Sequence, residues 1–194
     1  MEITSAQLKE LRDKTGISVM QCKKALEEAG GDMEKAVIIL KKKRSEAADK
    51  KSDRELGAGA IGAYIHNTNE VAALVMLSCE TDFVSKNQEF IALAKDIAMQ
   101  VAATSPVYVA KTDVPAEALN KAKEVFAAEV ADKPEAMREK IMEGKLNAYF
   151  KEQILLEQPF IKNPDTTVGE MVTGAVQKFG ENISISQISR LSVK

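Results

Sequence analysis

The sequence predicts an α+β fold, and three observations carry that reading. Apolar residues recur at helical spacing through residues 1–42. Two β-like runs, 60–66 and 71–79, are separated by Asn67, Thr68, Asn69 and Glu70, which is hairpin chemistry because Asn tolerates a left-handed turn. The C-terminal run ISISQISRLSV alternates apolar and polar residues as a strand does. The expected architecture is three short helices followed by a core, in which the hairpin and the returning C-terminal strand form one small antiparallel sheet with helices on one side.

Each element has a local reason. Thr4 and Gln7 fit a capping box that opens the first helix, Leu8 and Leu11 form its stripe, and Thr15 with Gly16 stops it. The second helix spans about 18–29, with Val19, Cys22, Ala25, Leu26 and Ala29 on one face, and Gly30 and Gly31 break it. Asp32 is a suitable N-cap for the third, whose stripe is Met33, Ala36, Val37 and Leu40. Residues 41–54 carry seven basic and three acidic residues and read as a helix tail leading into a solvated linker. Three domains of the chain follow: a three-helix unit over 1–42, a charged linker over 43–56 and a core over 57–194. After the hairpin, Ser85 and Gln88 suggest a second capping box. The helix behind it runs to about Thr104 and buries Phe90, Ile91, Ala94, Ile97, Ala98 and Val101. A short strand is expected at 107–109, then helices at 116–131 and 134–152, the latter with Pro134 in its first turn. Thr167 and Glu170 cap a last helix with Val168, Val172, Ala175, Val176 and Phe179 inward, and Gly180 ends it.

Composition excludes more than it suggests. The 194 residues include 27 basic and 29 acidic side chains, a formal net charge of −2, with 45% apolar residues, one His and two Cys. A near-neutral chain is not built to coat nucleic acid, and a single His leaves little material for a metal cluster. The longest uninterrupted apolar run, Val71 to Leu77, is far shorter than a membrane span. No secretory signal precedes it, and Cys22 and Cys79 form no CxxC, so a reducing cytoplasm is expected. Neither GxxxxGK[ST] nor a strand-to-helix GxGxxG occurs. Gly57, Gly59 and Gly62 lead into a strand, so close backbone approach is the better reading of them. His66 sits at a strand end and reads as structural. Cys79 occupies an inward-facing strand position. No cofactor, no metal and no catalytic residue are expected.

Two features stand apart. Met20, Lys23, Lys24 and Glu27 share the second-helix face opposite the apolar stripe, the arrangement of a docking surface. Phe83, beside Asp82 in a short connection, either folds back as a staple beneath its own helix or anchors in a partner's pocket.

Three longer segments carry a resemblance. LRDKTGISVMQCKKALEEAGGDMEKAVIIL (11–40), CETDFVSKNQEF (79–90) and LLEQPFIKNPDTTVGEMV (155–172) are together similar to the bacterial elongation factor Ts family, in the expected order and over nearly the whole chain. The resemblance implies a ubiquitin-associated-like N-terminal domain. It also implies a guanine nucleotide exchange factor, not an enzyme, that binds elongation factor Tu in its GDP-bound and nucleotide-free forms. Carried over, Thr81, Asp82, Phe83 and Val84 are the segment that disturbs the partner's magnesium and phosphate site, and Arg12, Met20 and Lys23 match the docking pattern. Long members have a second core module and an inserted coiled-coil hairpin before LLEQPF. That stretch is short here, and short members supply the second half as a homodimer, so a homodimer is expected. Asn67, Thr68 and Asn69 stand where glycines are expected, and Ser78 where Asn is usual. Neither membrane association nor direct nucleic-acid binding is implied. Two rival readings stay open: a ubiquitin-like or nascent-chain binding module, suggested by the first three helices, and a nucleic-acid binder using 41–54.

Overall fold

The computed structural model describes residues 3–131 and 134–193. It is α+β, and the chain divides into two compact units: residues 1–55 with 173–183, and residues 56–172 with 184–194.

The first unit is helical. α1 (Ser5–Thr15) opens with the expected capping box between Thr4 and Gln7 and closes on Gly16 at φ 68°, where the Gly16 N–H donates to the Arg12 carbonyl. α2 (Val19–Glu28) starts at the Ser18 N-cap. α3 (Met33–Asp49) starts at Asp32, whose carboxylate accepts from the Lys35 N–H at 3.1 Å. That hydrogen bond holds the Asp32 carboxyl below its ordinary pKa. Leu11, Ile17, Cys22, Ala25, Leu26, Ala36 and Leu40 form the core. Val19 is the exception to the expected apolar face, because it stands exposed at the first helical position. The basic tail of α3 is engaged with its own unit. The Arg44 guanidinium donates to the Thr15 carbonyl at 3.0 Å and to Gln177, and Lys43 pairs with Glu28. Asn182 closes the unit by donating to the carbonyls of Ser52 and Arg54.

The second unit is built on a three-stranded sheet in the order β1 (Ala58–Ile65), β2 (Val71–Cys79), β5 (Ile183–Ser192), with β1 and β2 antiparallel. Asn69 takes the left-handed conformation in the turn, at φ 60°. α5 (Gln88–Thr104) packs on β1 and β2, and Val75, Leu77, Cys79, Phe90, Ala94, Ile97 and Val101 are buried. The helix sits so close that a Cβ on Gly62 would lie 2.1 Å from the Ala94 carbonyl oxygen, the close approach that the small residues of β1 suggested. Ile91 is exposed rather than inward.

Beyond α5, residues 107–109 make only a single bridge, Tyr108 to Ile154, in place of a strand. α6 (Ala116–Val130) and α7 (Glu135–Lys151) pack as a helical hairpin, with Lys145 on Glu129 at 2.6 Å and the Phe126 ring edge-on to Tyr149. Both helices lie where the sequence predicts them, within 116–131 and 134–152. β3 (Pro159–Phe160) and β4 (Asn163–Thr167) form a small second ladder. The Thr167–Glu170 capping box opens α8 (Val168–Phe179) as expected: the Glu170 N–H donates to Thr167 Oγ1 at 3.1 Å and the Thr167 N–H to Glu170 Oε2 at 3.0 Å.

A buried polar cluster holds the 152–161 loop on α5. Gln100 is fully buried; its Nε2 donates to Gln158 Oε1 and the Pro159 carbonyl, and its Oε1 accepts from the Ile161 N–H at 2.9 Å. Thr104 Oγ1 donates to Gln158 Oε1, and Gln158 Nε2 to the Glu152 carbonyl. Every polar atom of both amides has a partner, the condition under which burial of such groups is tolerated.

Candidate functional site

The connection between β2 and α5 is where backbone geometry creates an exposed apolar tip. Cys79 ends β2 buried, and its Sγ donates to the Thr81 carbonyl at 3.2 Å. Thr81 is extended, at φ −126° and ψ 157°, and stands at the entrance of a one-turn helix, α4 (Asp82–Ser85). The Ser85 N–H donates to the Thr81 carbonyl, and the Lys86 N–H and Ser85 Oγ donate to the Asp82 carbonyl. Asn87 then caps α5, accepting from the Glu89 N–H at 2.9 Å. Ser85 is thus part of α4, and the expected capping box with Gln88 does not form. The chain needs one turn to reverse before α5 begins.

A four-residue helix is too short to hold itself. Val84, 3% exposed, anchors this one in the core. The neighbouring Phe83 projects outward and is 82% exposed, so it does not staple beneath its own helix. Asp82 lies across the turn from Val84. Its Oδ2 is 2.6 Å from Lys86 Nζ, and both side chains are exposed. The Lys86 hydrogen bond, with the lysine charge behind it, holds the Asp82 carboxyl below its ordinary pKa. Lys86 is not among the residues that sequence reasoning singled out. Its signal was the i,i+4 spacing from an acidic residue.

The first unit carries the other singled-out residues. Met20 is 70% exposed on α2, opposite buried Cys22, Ala25 and Leu26. Lys23 follows one turn later, 3.9 Å from Glu27, and Arg12 is exposed in the last turn of α1.

Sheet burial reveals a further surface that the sequence reading did not single out. Ile61 and Ile65 of β1 and Leu74 and Met76 of β2 are exposed, on the face away from Gly62, Val75 and Leu77. Ile61 pairs with Met76 across the ladder. Their signal was apolar residues on both faces of strands that border water. Among the described residues, no group of three or more His, Cys, Asp or Glu is placed to hold a metal ion, and no helix is long and apolar enough to cross a membrane.

A large apolar side chain held in water by a packed turn is a feature of protein-binding surfaces. The model of the family described as Elongation factor TS matches residues 49–194. The chain is 47% identical over 194 residues to Elongation factor Ts of Thermodesulfovibrio yellowstonii, covering 100% of this chain and 97% of that protein. It is 50% identical over 193 residues to Elongation factor Ts of Carboxydothermus hydrogenoformans, covering 98% and 89%. Elongation factor Ts of Thermotoga petrophila is 47% identical over 193 residues, covering 100% and 97%. The chain belongs to the elongation factor Ts family.

Proposed function

We propose that this chain is a guanine nucleotide exchange factor for elongation factor Tu, acting in the cytoplasm during translation elongation. One observation carries the reading within the family: Phe83 stands in solvent on a turn locked by Val84. A GTPase holds GDP through backbone amides around the phosphates and through Mg²⁺. An exchange factor needs no nucleophile for this task. It has to bind the nucleotide-free partner better than the GDP-bound one. In this mechanism the segment Thr81–Val84 enters beside the partner's phosphate site, Phe83 wedges apart the elements that support Mg²⁺, and Asp82 competes for hydrogen bonds there. A thousandfold acceleration of release requires about 4 kcal/mol off the barrier, a scale that one buried aromatic anchor and a lost metal contact reach together. By linkage, incoming nucleotide expels the factor with the same coupling energy, so the factor is not consumed. Arg12, Met20 and Lys23 serve as the docking face.

The chain acts as a homodimer in this reading. The exposed face of Ile61, Ile65, Leu74 and Met76 supports it, since an apolar sheet face is a feature of protein–protein interfaces and a second copy is the partner this reading assigns to it. Sedimentation of the chain as a dimer is the expected result, and a monomer would remove this part of the reading. The exchange activity is tested by mixing elongation factor Tu, loaded with fluorescent GDP, with catalytic amounts of the chain and excess unlabelled GDP. Accelerated loss of fluorescence is expected, and release at the unassisted rate would overturn the proposal.

A further inference from the structure

Asp82 and Lys86 form one ion pair across the turn that carries Phe83, at 2.6 Å. The pair contributes little to the fold, because both side chains lie in water. α4 is held instead by buried Val84 and by the backbone bonds to Thr81 and Asp82. Its consequence is therefore electrostatic. Within residues 80–89 the acidic residues are Glu80, Asp82 and Glu89, and Lys86 is the single basic one. A turn of the helix places Lys86 on the same side as Asp82 and next to Phe83, with Val84 on the far side. An uncompensated carboxylate at that tip would be repelled by a bound diphosphate before the aromatic ring made any contact, and such repulsion acts on encounter more than on the later step. The Asp-before-Lys order at i,i+4 is the favourable one on a helix.

We propose that Lys86 is a positioning residue for exchange, cancelling the Asp82 charge so that the Phe83 tip reaches the phosphate-bearing site of the GDP-bound partner. The proposal rests on the exchange reading above. The test is steady-state release of fluorescent GDP from elongation factor Tu, with the full chain, at low and high salt. Lys86→Met should raise KM for the GDP-bound partner about fivefold at low salt and less at high salt, as expected for a charge acting on encounter. Its kcat should stay within about twofold of the starting value. Lys86→Gln should behave alike, and Lys86→Arg should restore KM. Combining Asp82→Asn with Lys86→Met makes the pair neutral again, so KM should return while kcat falls to that of Asp82→Asn alone. An unchanged KM in Lys86→Met, equal impairment in Lys86→Arg, or a double variant no better than Lys86→Met would each overturn the proposal. Failure of the unaltered chain to accelerate release would instead overturn the exchange reading itself.

Discussion

The two ends of α5 treat polarity in opposite ways. At its N-terminal end the connection 80–87 exposes its largest apolar side chain, Phe83, and keeps Asp82 and Lys86 in water. At its C-terminal end two amides, Gln100 and Gln158, are buried and fully hydrogen bonded to each other, to Thr104 and to the 152–161 backbone. Both stretches carry the family resemblance, CETDFVSKNQEF at one end and LLEQPF at the other. The difference shows that a distinctive motif has two physical uses. The buried one fixes where a loop lies. The exposed one costs solvation and gives the fold nothing, so a partner is the natural reason for it.

Three variants break or sharpen that contrast, taken from the largest expected effect. Gly62→Ala strikes what both ends share, because its Cβ would meet the Ala94 carbonyl oxygen at 2.1 Å and backbone cannot yield as a side chain does. It should cost more than about 4 kcal/mol by denaturant unfolding, and exchange should fall with the fold. Gln100→Leu strikes only the buried end. It strands the Ile161 N–H and the Pro159 carbonyl and should cost about 3 kcal/mol, while the exchange rate at temperatures well below unfolding stays unchanged. Changing Met20 and Lys23 together to Ser strikes neither end. Complex formation should weaken about tenfold, or about 1.4 kcal/mol, with little change in the maximal exchange rate and only a small fall in the melting temperature, from the lower helix propensity of Ser.

Local chemistry explains which parts of this were legible. Thr4 with Gln7, Asp32, and Thr167 with Glu170 stand at helix starts where no competing turn intervenes, and all three cap as read. Ser85 with Gln88 has the same spacing and fails, because burial of Val84 forms a separate turn first and leaves Asn87 to cap α5. The β3–β4 ladder was missed because Asn163, Pro164 and Asp165 carry turn chemistry and no alternation. Val19 stands at the first position of α2, and Ile91 lies about 100° around α5 from buried Phe90, on the edge of the packed stripe, so both are exposed although each fits a helical spacing. At the candidate site the residues themselves were readable from TDFV, and Lys86 was written in the i,i+4 spacing. The exposure of Phe83 was not, since a staple and an anchor share one sequence and only the buried position of Val84 decides between them. The apolar outer sheet face was hidden for a related reason: alternation does not say which face a strand turns to water when both are apolar.

Phe83, 82% exposed, should contribute to exchange and not to the fold. Phe83→Ala tests it with two readouts on one preparation, fluorescent GDP release from elongation factor Tu and thermal unfolding by circular dichroism. Removing an aromatic anchor of about 2 kcal/mol or more should slow assisted release at least about thirtyfold, with the unfolding curve unmoved. An unchanged release rate with an intact fold would contradict the account.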